Sequence, residues 1–74
     1  MVIEVNYETK KDTADPGVEH TEFFESPAMP DKTTIAHKLI QMRKDFAENT
    51  IAISEHKTQS AEALRASGVK VTKI

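Results

Sequence analysis

Three histidines, His20, His37 and His56, are the side chains best suited to proton exchange near neutral pH, and cysteine is absent. Each falls in a different predicted element, and no two have the short spacing of paired metal ligands. His37 sits opposite the apolar stripe of its helix. His56 follows Glu55, but adjacent residues on a helix point apart and cannot share an ion. Nucleophilic catalysis needs a hydroxyl or thiol beside a base, with an oxyanion hole close by. The chain has no G-x-S-x-G turn and only two glycines with which to bring backbone near a substrate. Lys32-Thr33-Thr34 has the ending of a phosphate-binding loop, yet Pro27–Asp31 stand where the cradling glycines belong. The expectation is a non-enzymatic protein with no catalytic residue, no cofactor and no metal.

Charge is the stronger signal. Residues 1–31 carry eight acids against Lys10 and Lys11, a net of −6, whereas residues 32–74 carry eight bases against four acids, a net of +4. The overall charge of −2 therefore conceals a polar chain. Glu4, Glu8, Glu19, Glu22 and Glu25 all fall on one predicted hairpin. Like charges facing each other across a hairpin are destabilising, which is tolerable where something basic faces them. That counter-charge is the chain's own second half, another protomer or a foreign protein. The bases Lys38, Arg43 and Lys44, with Lys32, scatter around the predicted helix among Asp45 and Glu48, so they form no stripe that could follow a phosphate backbone.

The elements that position these groups are readable from periodicity. Ile3, Val5 and Tyr7 alternate with Glu4, Asn6 and Glu8, the pattern of a half-buried strand. Residues 10–17 form a turn around Asp15-Pro16-Gly17. Residues 18–25 return as a second strand, in which adjacent Phe23 and Phe24 demand either a bulge or one outward phenylalanine, and Phe23 is assigned to the surface. Asp31 is placed to cap a helix over residues 31–49, with Ile35, Leu39, Met42 and Phe46 on one stripe. Counting Ala36, Ile40 and Ala47, the apolar sector is wide enough to call for two neighbours, one of them a second protomer. Residues 50–54 read as a short strand, although one unbroken helix over 32–67 is the alternative. Residues 60–67 are helical in either case, with Gly68 as the terminating C′ residue. Residues 69–74 form a last strand.

Size sets the limits. Seventy-four residues make one domain with a thin core, and without cysteine it has no disulfide, zinc ribbon or iron–sulfur site to support it. No apolar run exceeds three residues, so neither a membrane span nor a signal-peptide core is expected, and a cytoplasmic setting follows. The expected fold is a single small α+β domain over residues 1–74, of order β-β-α-(β)-α-β. An acidic antiparallel hairpin (1–26) and a C-terminal strand pack against one main amphipathic helix (31–49), followed by a helix/strand unit (50–74). The core is expected to comprise Ile3, Val5, Tyr7, Phe24, Ile35, Leu39, Met42, Phe46, Ile51, Ile53, Leu64, Val69 and Val71.

The function this implies is protein–protein interaction: a small adaptor, inhibitor or assembly subunit that forms a homodimer or higher homo-oligomer. Its docking surface comprises Glu4, Glu8, Glu19, Glu22, Phe23 and Glu25, and its partner presents a basic surface. The rival is a nucleic-acid-binding regulator acting through Lys38, Arg43 and Lys44. In size and charge polarity the chain resembles, in general character, small regulators or inhibitors found on phages and mobile elements.

Overall fold

A computed structural model describes residues 1–11, 14 and 16–74. The chain forms β1 (Val2–Glu8), β2 (Glu19–Glu25), α1 (Lys32–Gln41), a single 3₁₀ turn (Glu48–Thr50), β3 (Ala52–Glu55), α2 (Ala61–Ala66) and β4 (Val71–Lys73). The four strands make one mixed sheet in the order β3-β1-β2-β4. Its two central strands pair antiparallel, β3 joins β1 antiparallel, and β4 joins β2 in parallel. The fold is α+β as expected, and residues 52–55 resolve as a strand rather than part of one long helix. The expected turn at Asp15-Pro16-Gly17 includes Asp15, which lies outside the described residues.

The phenylalanine pair explains the architecture. The β1–β2 register runs unbroken from Val2↔Glu25 to Glu8↔Glu19, so no bulge intervenes and Phe23 and Phe24 point to opposite faces. Phe24 is fully buried on the first face with Ile3, Val5, Tyr7, Ile51 and the α1 residues Ile35, Ala36 and Leu39. Phe23 is not a surface residue: it is partly buried against a second cluster of Val2, Ala61, Leu64 and Val71. Each face thus has its own helix, α1 on the first and the six-residue α2 on the end of the second.

The main helix is shorter than the expected 31–49. Asp31 accepts from the Thr34 amide at 2.8 Å, as its cap role requires. That hydrogen bond, followed by the Thr34 side chain, holds the Asp31 carboxyl below its ordinary range. At the other end Arg43 adopts φ +57°, its amide donates to Ile40 O at 2.9 Å, and the Lys44 amide donates to Leu39 O at 3.0 Å. This is the paired 5→2 and 6→1 closure that normally uses glycine, here with arginine in the left-handed position. Gly68 closes α2 by the same pair of bonds, Gly68 N–H to Arg65 O and Val69 N–H to Leu64 O, both at 3.0 Å. Because Phe46 and Ala47 lie beyond α1, the wide apolar sector dissolves. Met42 and Phe46 fold back onto the first core, and Ile40 alone of that set stays well exposed, at 60%.

Candidate functional site: the open half of the second sheet face

Alternation places Glu4, Asn6 and Glu8 of β1, Glu19, Thr21, Phe23 and Glu25 of β2, and Ala52 and Ser54 of β3 on the second face. Two turns of helix cannot span it. The six residues of α2 cover the end at Val2, Phe23 and Val71, and leave the end at Asn6, Glu8, Glu19 and Thr21 open. There a trough of about 380 Å³ is lined by Asn6, Tyr7, Glu8, Glu19, Thr50 and Ala52.

The trough has a fixed floor. The Glu8 amide donates to Thr50 Oγ1 at 2.9 Å, and the Ala47 amide donates to Glu8 O at 2.8 Å, so the 3₁₀ turn and the residue before it hold this end of β1 through both main-chain groups of Glu8. Thr21 Oγ1 donates to Asn6 Oδ1 at 2.6 Å and Asn6 Nδ2 donates to Glu4 Oε2 at 2.9 Å, tying the two central strands together. Thr9 N–H donates to Val18 O and Ser26 N–H to Met1 O, so the bonded pairs fall at odd positions of β1. Glu8↔Glu19 is therefore a non-bonded, narrow pair, with Cα atoms about 4.5 Å apart. Like charges so placed repel.

The expected acidic site residues are divided between the two faces, and most meet a cation of their own chain. Glu22 lies on the first face, 3.5 Å from Lys44, and accepts from the Tyr7 hydroxyl at 3.1 Å. Burial, followed by the charge of Glu22 and the hydrogen bond to it, pushes the Tyr7 phenol up to about 12. Glu25 accepts from Arg65 at 3.2 Å, and the same guanidinium nitrogen donates to Val71 O at 3.1 Å. Glu4 faces His56 Nδ1 at 3.4 Å. Glu8 reaches Lys11 only at 4.0 Å, between exposed side chains. Among the described residues Glu19 has no ion pair. Glu8 and Glu19 thus remain as the open acidic pair, while Glu4, Glu22 and Glu25 serve internal contacts.

His56 is a hub that sequence reasoning did not find. Its ring packs edge-on against Phe23 with centroids 5.2 Å apart, and Nε2 meets Thr58 Oγ1 at 3.1 Å and Gln59 Oε1 at 3.4 Å. Carboxylate, imidazole and hydroxyl thus stand in a row from Glu4 to Thr58. With Gln59 on the same nitrogen, the row works as a clamp that holds the 56–59 turn against β1. No local signal announces it, because Glu4 and His56 are 52 positions apart. His20 stacks on Tyr7 at 5.6 Å, and His37 lies exposed on α1. The described residues contain no group of three or more His, Cys, Asp or Glu arranged to hold a metal ion.

The alternative basic set is also divided. Arg43 and Lys44 join Lys10 around a groove of about 470 Å³ with Ile40 and Phe46, but Asp45 and Glu48 share its rim and Lys44 is engaged by Glu22. Lys38 does not line it. No helix among the described residues is long and apolar enough to cross a membrane. No protein-family model, curated protein or solved structure matches the chain.

Proposed function

We propose that this domain is a non-enzymatic protein-interaction module, an adaptor, inhibitor or assembly subunit, that receives a basic partner at the open end of the second sheet face. The supporting observation is the Glu8↔Glu19 pair. Two glutamates are cross-strand neighbours at the narrow register, beside a trough, and among the described residues their one ion pair is the long contact of Glu8 to Lys11. Inside the subunit that arrangement opposes stability. A cation supplied from outside relieves it, and the acidic rim steers such a partner during encounter. The docking surface is accordingly narrower than the whole hairpin: Glu8 and Glu19, with Asn6, Thr21, Thr50 and Ala52 around them.

The test is quantitative affinity capture with three baits: the wild-type domain, Glu8→Gln/Glu19→Gln, and the charge-matched control Glu48→Gln/Glu62→Gln. The proposal expects a basic protein whose recovery falls about fivefold or more with the first variant, survives the control and weakens with salt. Equal recovery on all three baits, or no protein retained above background, overturns it.

A further inference from the structure

The trough opens sideways onto β3, and the two edges of the sheet are built differently. His56 N–H, just past β3, donates to Val2 O at 2.9 Å, so the β3 residues bonded to β1 are the even ones, Ala52 and Ser54. The main-chain N–H and C=O groups of Ile53 and Glu55 consequently point away from the sheet. At the opposite edge Ile74 N–H donates to Glu25 O at 2.9 Å, which leaves Val71 and Lys73 outward. There the Val71 carbonyl is taken by Arg65, and Lys73 adds a charge of the kind that blunts exposed strands. Among the described residues the β3 edge has no such guanidinium cap; its exposed charge, Glu55, lies on the first face, and its residues on the trough side, Ala52 and Ser54, are small and exposed.

We infer that the β3 edge accepts an extended segment of the partner as a fifth strand, with lysine or arginine at alternate positions lying over Ala52 toward Glu8 and Glu19. This rests on the proposed acidic docking surface and specifies its partner's form. Adjacent strands lie about 4.8 Å apart, so a segment beyond β3 stands about 10 Å from β1, within the combined reach of a long basic side chain and Glu8. Side chains of the other parity fall on the first face beside partly buried Ile53 and are apolar. The incoming strand is therefore basic on one face and apolar on the other. Main-chain bonds to Ile53 and Glu55 supply affinity, and the acidic pair supplies selectivity.

The probe is a capped nonapeptide alternating lysine and valine, with a glutamate-for-lysine peptide as control, read by amide hydrogen exchange on the intact domain. Saturation with the basic peptide should slow exchange at Ile53 and Glu55 by about tenfold or more and leave Val71 and Lys73 unchanged. The key variant is Glu55→Pro, which removes an outward donor while sparing every bond to β1. It should weaken the peptide about tenfold or more, with native spectra retained. If Glu55→Pro leaves binding intact while Glu8→Gln/Glu19→Gln abolishes it, the edge assignment is overturned and the acidic docking surface survives. If the glutamate peptide binds as well as the lysine one with the same protection, the acidic reading falls. Protection at Val71 and Lys73, no protection in wild type, or concentration-dependent protection of Ile53 and Glu55 without peptide overturns the inference. The last result assigns the edge to a second copy of the chain.

Discussion

Replacing each phenylalanine of the pair in turn separates a one-sided sheet from a two-sided one. Phe24 is fully buried among Ile3, Val5, Ile35 and Leu39, so Phe24→Ala should cost about 3–5 kcal/mol. Were Phe23 a surface residue, its truncation would fall within about 0.5 kcal/mol of wild type. Instead it is partly buried against Val2, Leu64 and Val71 and meets the His56 ring at 5.2 Å. Half of a phenylalanine burial contributes about 1–1.5 kcal/mol, and the ring pair about 0.5–1 more, so Phe23→Ala should cost about 2 kcal/mol. A domain of this size has total stability of about 4–11 kcal/mol, so both losses are large fractions of the whole. Urea unfolding followed by circular dichroism measures them directly. With a slope of about 1 kcal/mol/M for so small a chain, Phe23→Ala moves the midpoint down by roughly 2 M. A midpoint within roughly 0.5 M of wild type would falsify the second core and with it the claim that α2 covers part of that face.

Other consequences follow from the caps, the buried phenol and the strand register. Arg43→Gly should be neutral or stabilise by about 0.5 kcal/mol, because relief of left-handed strain exceeds the added chain entropy; Gly68→Ala, where nothing lies within 4 Å of a new Cβ, should destabilise by about 1 kcal/mol, and equilibrium unfolding measures both. A loss of stability in Arg43→Gly would mean that its side chain contributes something the cap geometry does not. Tyr7 is held neutral in the fold with its phenol raised from about 10 to about 12, so its contribution is intact below pH 10 and is lost as pH rises toward 12. Unfolding free energies of wild type and Tyr7→Phe should differ in slope across that window by a total of roughly 2–3 kcal/mol; parallel curves refute the assignment. Ser54→Pro, which removes a bond to Glu4, should cost about 3 kcal/mol or more, whereas Glu55→Pro should cost less than about 1 kcal/mol, and thermal melts of the two rank them.

What the chain reveals by itself is whatever neighbouring residues decide. Alternation in residues 2–8 marks β1 and its buried set Ile3, Val5 and Tyr7; Asp31 and Gly68 mark the ends of two helices through their own chemistry. The end of α1 was hidden because arginine occupies a position that glycine usually signals. The two-sided sheet was hidden because α2 presents only Ala61 and Leu64 as buried residues, too few for a periodic stripe. The fate of the acids was least legible. Glu4 with His56, Glu22 with Lys44 and Glu25 with Arg65 meet only after the strands and helices assemble, so a hairpin that looks uniformly acidic along the chain has most of its carboxylates engaged by partners distant in sequence. What survives is the single pair at its open end.

The stability of Glu19→Gln relative to wild type, followed from about 20 mM to 1 M salt, tests that pair most directly. Repulsion across the narrow register predicts that the variant is more stable by about 0.3–0.5 kcal/mol at low salt and that the gain vanishes as salt screens it. A variant that is less stable than wild type at low salt would show that Glu19 already has a cationic partner within the subunit, and the open docking pair would not exist.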